Sequence, residues 1–256
     1  MDIHKTAIIN RNAFIDKDVK VGAYSVIERG VEIGSGCVIG NYVCIKRGTK
    51  IGRNNEIYEG AVIGNPAQDV RNKGKKSFVN IGANNIIREY VTIHRATGEG
   101  EETVIGDDNY LMAYCHIAHN VRVGNGVIIA NGAQLAGFVL VSDYAFISGL
   151  CPVHQFVRIG KYSMIGGGYR VPKDVLPYSL TAGDPLRAMG LNIVGLRRHN
   201  FSKESISILN KAFHLLLSRE LNTHQAIEKM QKELPLNDEI KHLIEFIGSS
   251  KRGVAI

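Results

Sequence analysis

The sequence predicts an all-β parallel β-helix of hexapeptide repeats, followed by a C-terminal α-helical domain. Three observations lead to this prediction. An aliphatic residue recurs every six positions over the first two thirds of the chain, glycine often follows it, and the repeat then gives way to helical periodicity. We therefore predict a β-helix over residues 1–175, and a connector with a helical domain over residues 176–256.

The six-residue repeat is nearly unbroken from Ile3 to Val171. Of its 29 positions, 26 are Ile, Leu or Val, and the exceptions are Asp69, Lys75 and Glu99. In a parallel β-helix a short strand turns its aliphatic residue inward, and three hexapeptides close one triangular coil. Residues eighteen apart should therefore stack in successive coils, about 4.8 Å from one another.

The exceptions fall in two polar segments, which we predict to be loops near residues 65–78 and 96–104. The first reads "NPAQDVRNKGKKSF" and is rich in turn-forming and basic residues, and the second, "ATGEGEETV", is rich in Gly and Glu. Loops on a rigid scaffold are common places for ligand binding, so both are candidates for the functional site.

After the repeat ends, three segments carry helix start signals. Ser202 is a predicted N-cap, Asn222 and Gln225 have the spacing of a capping box, and a further helix is predicted from Asn237 to Gly248. We expect this small domain to cover the last coil, because an open β-helix end exposes unpaired strand edges.

Composition limits the classes of function. The chain has 31 Lys and Arg against 24 Asp and Glu, a net charge of +7 that is spread along the sequence. This distribution argues against a nucleic-acid partner and suits an anionic small ligand or an acidic protein. The four cysteines form no CxxC motif, and no apolar run suits a signal peptide or membrane insertion. We expect reduced, buried thiols in a cytoplasmic protein.

The repeat also predicts which polar residues share an edge. His119 follows Ile117 by two positions and Gly137 follows Leu135 by two, so Gly137 should lie directly above His119. The predicted edge consists of His94, His119, Gly137, His154 and Gln155, with His116 close by. His94 belongs to it only if the 96–104 loop adds six residues to its coil. The 65–78 loop carries Asp69 and Arg71, which can fold over this edge.

Two chemistries suit such a histidine cluster. A metal site is disfavoured, because only Cys115 adds a further ligand beside His116 and His119, although a zinc hydratase of the same architecture stays open as an alternative. A neutral imidazole can instead remove a proton from a hydroxyl group that attacks a thioester. The Gly137 N–H, one coil above His119, would then stabilise the developing oxyanion. This second arrangement predicts acyl transfer.

Seven segments carry a resemblance to a known family: "IGRNNEIYEGAVIG" (51–64), "QDV" (68–70), "VTIHR" (91–95), "HIAHNVRVGN" (116–125), "QLAGFVLVSDYAFI" (134–147), "PVHQFVRIG" (152–160) and "GLNIVGLRRHNFS" (190–202). Over its whole length the chain resembles the UDP-N-acetylglucosamine O-acyltransferases of lipid A biosynthesis. The resemblance implies a left-handed β-helix, a homotrimer with sites between subunits, and no cofactor or metal. It implies transfer of a 3-hydroxyacyl chain from acyl carrier protein to the sugar 3-position, the first step of that pathway.

The resemblance also implies roles for single residues. His119 would be the general base with Asn120 beside it, and the Gly137 N–H the oxyanion donor. The implied substrate contacts are Gln68, Asp69, Arg71, His94, His116, Phe138, His154, Gln155, Asn192 and Arg198. Gly167, with Met164, would set the acyl-chain length. The acidic carrier protein is expected to dock on basic residues of the helical domain and the late coils, namely Arg197, Arg198, Lys203, Lys161 and Arg170.

Three positions depart from the family pattern. Asn120 stands where some members have Asp, so His119 should be a weaker base than the histidine of those members. Phe138 stands where many members have a sugar-contacting His, and Arg71 stands where Lys is usual. The altered sugar pocket leaves N-acyl transfer to the 3-amino analogue of the UDP-sugar as an alternative.

Overall fold

Three parallel sheets wrap around one continuous core in the computed structural model, which describes residues 2–256. Sheet A consists of β1 (Asp2–Ile3), β4 (Lys20–Val21), β7 (Val38–Ile39), β10 (Glu56–Ile57), β13 (Ile86–Ile87), β16 (Tyr110–Leu111), β19 (Ile128–Ile129), β22 (Phe146–Ile147), β25 (Met164–Ile165), β26 (Ser179–Ala182) and β27 (Arg187–Leu191). Sheet B consists of β2 (Ile8–Ile9), β5 (Val26–Ile27), β8 (Cys44–Ile45), β11 (Val62–Asn65), β14 (Thr92–His94), β17 (His116–Ile117), β20 (Gln134–Leu135) and β23 (Pro152–Val153). Sheet C consists of β3 (Phe14–Ile15), β6 (Glu32–Ile33), β9 (Thr49–Ile51), β12 (Phe78–Ile81), β15 (Glu102–Ile105), β18 (Arg122–Val123), β21 (Leu140–Val141) and β24 (Arg158–Ile159).

The aliphatic repeat positions form the core. In sheet B, Ile63 pairs with Ile93, Ile93 with Ile117 and Ile117 with Leu135, and all four side chains are fully buried. Each coil therefore adds one layer to an internal aliphatic ladder, which excludes water from the strands it supports. The predicted fold class, a left-handed parallel β-helix with a C-terminal helical domain, is confirmed.

The corner between sheets B and C positions the polar residues of interest. Asn120, Phe138 and Phe156 occupy the left-handed region there, with φ of 58°, 62° and 65°. Hydrogen bonds between coils hold this shape, because the Phe138 N–H donates to the His119 carbonyl and the Phe156 N–H to the Gly137 carbonyl. Residues two positions after each inward residue of sheet B thus stack in one column, which we call the corner column. It consists of Arg11, Arg29, Arg47, His119, Gly137 and Gln155, whereas a register shift after Ile63 places Asn65 opposite His94.

Two insertions interrupt the coils. Ile63 pairs with a residue thirty positions on rather than eighteen, because residues 66–77 leave the coil. Ile93 pairs with a residue twenty-four positions on, because residues 95–101 leave the next one. The second insertion adds six residues, so the condition that brings His94 onto the same edge as His119 is confirmed.

Beyond residue 175 the chain adds strands before it turns helical. The sequence pattern indicated only a connector, but β26 pairs with β25 in parallel and β27 returns antiparallel to β26. Single bridges from Val171 to Val153 and from Val175 to Ile159 cover the ends of the other two sheets. The last coil is therefore paired by β-structure as well as covered by helices.

Four helices follow, namely α1 (Ile193–Arg198), α2 (Lys203–Leu216), α3 (Thr223–Glu233) and α4 (Asp238–Gly248). The predicted helix starts are confirmed: Ser202 caps α2, Asn222 and Gln225 form a capping box on α3, and Asn237 caps α4. These helices share a second apolar cluster, separate from the β-helix core. Within residues 2–256, no helix combines the length and apolar character needed to cross a bilayer.

The four cysteines are free thiols. Cys37, Cys115 and Cys151 are buried in the core, as expected, and each Sγ lies close to a backbone carbonyl. Cys44 is partly exposed, which corrects the expectation of four buried thiols. It precedes the inward Ile45 in β8, so its side chain lies on the outer face of sheet B.

Candidate active site

His119 lies at the corner between sheets B and C, directly beneath Gly137. Its ring is 6% exposed, and a Cβ added to Gly137 would lie 2.5 Å from the His119 Cε1 atom. Only glycine leaves room for the ring at this position. Within residues 2–256 no acceptor pairs with the Gly137 N–H, which leaves this donor available beside the imidazole. The predicted stacking of the two residues is confirmed.

Asn120 determines which nitrogen of His119 carries the proton. The His119 Nδ1 lies 2.9 Å from the Asn120 Oδ1, which also accepts the Thr97 N–H at 2.9 Å. The Asn120 Nδ2 donates to the Thr97 carbonyl at 3.2 Å. Because these two backbone groups assign the amide oxygen and nitrogen, the Oδ1 must accept from His119. His119 is therefore protonated on Nδ1, and its Nε2 carries the free lone pair.

The 66–77 segment brings Asp69 close to His119. The Asp69 side chain is 7% exposed and receives hydrogen bonds from the Arg71 guanidinium, at 3.2 Å each, and from the Arg71 N–H at 2.9 Å. These hydrogen bonds, and to a smaller extent the charge of His119, hold the pKa of Asp69 below its ordinary value. The site thus contains a carboxylate that stays ionised at neutral pH.

His94 and His116 lie close to His119, with His116 in the same coil and His94 in the coil below. Their rings meet edge to face with centroids 5.1 Å apart. The His94 Nδ1 donates to the Pro66 carbonyl at 2.8 Å, and the His116 Nδ1 hydrogen-bonds the Thr92 hydroxyl at 2.8 Å. Burial first, and then the nearby histidines, lower the pKa of His116 to about 4, and burial also lowers the pKa of His94. Both rings are therefore neutral hydrogen-bonding groups near pH 7.

Above Gly137 the column continues with Gln155. Gln155 is half-buried, and the exposed His154 points its Nδ1 at the Gln155 carbonyl 3.2 Å away. Gln68, next to Asp69, is exposed. The structure therefore brings His94, His116, His119 and Asp69 into one cluster and leaves Gln68 and His154 at its margin. No group of three or more His, Cys, Asp or Glu side chains within residues 2–256 is arranged as a metal site.

The acyl-[acyl-carrier-protein]–UDP-N-acetylglucosamine O-acyltransferase of Thermodesulfovibrio yellowstonii is 52% identical over 99% of this chain and 98% of its own length. The chain belongs to the UDP-N-acetylglucosamine O-acyltransferase family. The enzyme of the same name from Xylella fastidiosa is 47% identical, over 98% of this chain and 96% of its own. The family predicted from the motifs, an acyltransferase with hexapeptide repeats, is confirmed.

Solved structures and family models agree with this assignment. The UDP-N-acetylglucosamine acyltransferase of Bacteroides fragilis superposes with a TM-score of 0.96 at 40% identity, covering 98% of each chain. The Acinetobacter baumannii protein gives 0.94 at 40% identity, covering 99% of each chain. The model for domain 2 of UDP-N-acetylglucosamine O-acyltransferase matches residues 174–255. The bacterial transferase hexapeptide model matches residues 12–47, 30–65 and 102–137.

Phe138 belongs to an aromatic stack beside His119. Its ring meets His119 edge-on at 5.3 Å and stacks on Phe156 at 4.9 Å. Sequence reasoning missed Phe156, although its eighteen-residue spacing from Phe138 was a usable signal. An aromatic stack therefore lines this side of His119.

The remaining predicted residues lie elsewhere on the chain. Asn192 caps α1 and donates to the Tyr162 carbonyl, and Arg198 is exposed at the end of the same helix. Met164 lies in β25 of sheet A and Gly167 lies in the turn that follows. These four residues belong to sheet A and the helix that follows it, whereas His119 lies at the corner opposite that sheet. One chain therefore does not bring the two groups together.

Proposed function

We propose that this chain transfers a 3-hydroxyacyl group from acyl carrier protein to the 3-hydroxyl of UDP-N-acetylglucosamine, as the first step of lipid A biosynthesis. One observation carries the proposal. The free lone pair of His119 Nε2 and the free N–H of Gly137 lie side by side in successive coils. A base and an oxyanion donor so arranged serve the two halves of an acyl transfer.

The reaction proceeds in two stages. His119 Nε2 takes the proton of the sugar 3-hydroxyl while that oxygen attacks the thioester carbonyl carbon. The carbonyl oxygen becomes an oxyanion, which the Gly137 N–H stabilises. The tetrahedral intermediate then collapses, the C–S bond breaks, and the imidazolium returns its proton to the leaving thiolate of the carrier. Asn120 supports the imidazolium through its amide oxygen and holds the ring in the basic tautomer.

Substrate contacts follow from the polarity of each group. Asp69 and the neutral His94 and His116 lie around His119. Their polar groups suit the hydroxyl and amide groups of a sugar. Gln155, His154, Gln68 and Arg71 lie around this cluster and contact the phosphates or the acyl donor. Asn192 and Arg198 bind the nucleotide end, with the Arg198 guanidinium suited to a diphosphate. The chemistry uses no cofactor.

We propose that the complete site forms between neighbouring copies in a homotrimer. His119 and Arg198 lie on different sides of one chain, so one sugar nucleotide spans both only if a neighbouring copy supplies the second group. The test mixes His119→Ala and Arg198→Ala chains, each inactive alone. Co-assembled chains regain part of the activity if the two residues meet across subunits. If the mixture stays inactive while native mass spectrometry shows mixed trimers, the shared site is refuted.

The acyl donor is an acidic carrier protein, for which the +7 net charge of the chain is complementary. The docking surface proposed for it comprises Arg197, Arg198 and Lys203 with Lys161 and Arg170. The free thiols suit the reducing cytoplasm, where we place the reaction.

The deciding experiment replaces His119 by Ala. We expect transfer of a 3-hydroxyacyl group from acyl carrier protein to UDP-N-acetylglucosamine to fall by about 10² to 10⁴-fold. His224→Ala, an exposed histidine on α3, is the matched control and should keep full activity. Circular dichroism and light scattering show whether the variant is folded and assembled. Undiminished turnover in a folded His119→Ala protein would refute the role of His119 as the general base.

One observation favours a second candidate function. Phe138 places an aromatic ring where many family members offer a hydrogen-bonding histidine, so the sugar pocket is altered. The alternative reaction is N-acyl transfer to the 3-amino analogue of the UDP-sugar. Equal concentrations of the two sugars in one assay decide between them, because preferential acylation of the amine selects the alternative.

A further inference from the structure

Below the candidate site, the corner column becomes a stack of arginines. Arg11, Arg29 and Arg47 follow one another in adjacent coils, because Ile9 pairs with Ile27 and Ile27 with Ile45. Their backbones are therefore about 4.8 Å apart per step. The Arg95 side chain reaches this series from the 95–101 insertion and contacts the backbone of Arg47. Like charges stacked in this way repel one another, so the arrangement is costly unless an anion lies beside it.

A groove runs along these arginines. Its cavity of about 830 Å³ is walled on one side by the 66–77 segment, through Asn72, Lys75 and Lys76. Seven lysines and arginines line it against one carboxylate, that of Glu32, which already pairs with Lys50 at 2.9 Å. Glu28 does not line this cavity; it pairs with Lys46 at 3.1 Å and accepts the Arg47 N–H at 3.0 Å. The groove therefore carries a large excess of uncompensated positive charge.

Arg95 is the most deeply placed of these cations. One of its terminal nitrogens donates to the Arg47 carbonyl at 3.0 Å, but its Nε is enclosed and has no partner within residues 2–256. No carboxylate of that part of the chain forms a salt bridge with it. Burial and the charge of Arg47 lower its pKa, and the charge of Glu28 opposes this only in part. An enclosed guanidinium nitrogen without an acceptor is destabilising, which points to a missing anionic partner.

Asn72 repeats this pattern on the opposite wall. Its Oδ1 is enclosed and unpaired, and it lines the same cavity as Arg95. Amide oxygen and nitrogen are assigned rather than observed, so a rotated Asn72 presents an N–H donor to the groove. Two enclosed and unsatisfied polar groups thus face one strongly basic space.

We propose that this groove binds a small anion with two or three linked phosphate groups, either a free oligophosphate or the phosphate chain of a nucleotide. Guanidinium forks at coil spacing present parallel donors to successive phosphates, and a single negative charge would leave most of the cations unpaired. The cavity volume lies within the range for small-molecule ligands. The proposal rests on the arginine stack and is independent of the acyltransfer reaction.

The site would also be linked to the loop above it. The 66–77 segment supplies Asn72, Lys75 and Lys76 to the groove and Asp69 to the neighbourhood of His119. An anion in the groove would cross-link this segment to the coils below. We therefore expect slower amide hydrogen exchange in residues 66–77 when the groove is occupied.

The test is calorimetric titration of the whole protein with inorganic triphosphate and, separately, with ATP. The Arg29→Gln/Arg47→Gln double variant removes two exposed side chains that have no carboxylate partner, and Arg53→Gln, on another corner, is the control. We expect saturable binding to wild type and control, at least about tenfold weaker binding to the double variant, and exchange protection of residues 66–77. If the two probes bind with equal affinity, the phosphate groups alone account for binding and the ligand is a free oligophosphate. If ATP binds more tightly, the ligand is a nucleotide.

Several results would overturn the proposal. One is the absence of binding at millimolar triphosphate, and another is equal affinity of triphosphate for the double variant and the wild type. A third is displacement of triphosphate by the UDP-sugar, which would place the bound triphosphate in the catalytic cleft. If light scattering shows that the double variant loses its assembly, the arginines hold copies of this chain together instead. Each of these measurements is independent of acyltransferase activity, so failure here leaves the proposed function untouched.

Discussion

Thr97 holds the amide of Asn120 with both of its backbone polar groups, and through that amide it determines the tautomer of His119. The contact joins the 95–101 insertion to the corner column. Asn120 is additionally fixed by its N–H, which donates to the Thr103 hydroxyl at 2.9 Å. An asparagine held in this way orients the base without adding charge, so a carboxylate is not needed to select the Nδ1–H form.

Asn120→Asp should shift the pH dependence of the reaction and destabilise the fold. The new negative charge favours the imidazolium over the neutral ring, so the acid limb of the kcat/KM profile moves to higher pH. The carboxylate also meets the Thr97 carbonyl, where Asn120 donated a hydrogen bond, at a cost of about 1–3 kcal/mol. Rate profiles and urea unfolding test both effects. An acid limb at an unchanged or lower pH would contradict this account.

Gly137→Ala should inactivate the protein with little change to its fold. The added methyl group lies 2.5 Å from the His119 Cε1 atom, so the ring must leave its place beneath residue 137. We expect a loss of kcat of about 10²-fold or more, and destabilisation of about 1–3 kcal/mol. Gly248→Ala is the control, since a Cβ there meets nothing within 4 Å. Full activity of the Gly137→Ala protein would show that the ring position is unimportant.

Gly167→Ala should change which acyl chain is transferred and leave stability almost unaltered. A Cβ at this position makes only ordinary contact, 3.4 Å from the Gly149 carbonyl oxygen. If residue 167 lies at the end of the acyl groove, as proposed, the methyl group shortens it. A panel of acyl carrier thioesters of different lengths measures the preference. An unaltered preference would place the end of the groove at another residue.

His116 should make the protein less stable in acid. Burial lowers its folded-state pKa to about 4, against 6.5 in an exposed chain, so between these values the unfolded state binds the extra proton. This stability is fully present well above pH 6.5 and is lost as the pH drops towards 4, by on the order of 3 kcal/mol. Urea unfolding at pH 4.5, 5.5 and 7 measures this. His116→Gln should reduce the slope, and the exposed His224→Gln should not.

Periodicity predicted the parts of the fold and site that lie within the coils. The inward positions of Ile117 and Leu135 follow from the six-residue repeat, and the stacking of His119 under Gly137 follows from the eighteen-residue coil. Phe156 was equally accessible to this reasoning but was overlooked. The strands β26 and β27 were not accessible, because one of them pairs antiparallel and neither keeps the hexapeptide pattern.

The sequence by itself determined the β-helix, its ladder of aliphatic residues, and the position of His119 beneath Gly137. It did so because a repeating coil converts a distance along the chain into a position in space. Only the tertiary structure decided that Thr97 orients Asn120 and that Asp69 lies near His119. These contacts come from the two insertions, which leave the repeat. Their backbone conformations depend on hydrogen bonds to the coils they pack against, and sequence spacing carries no information about those.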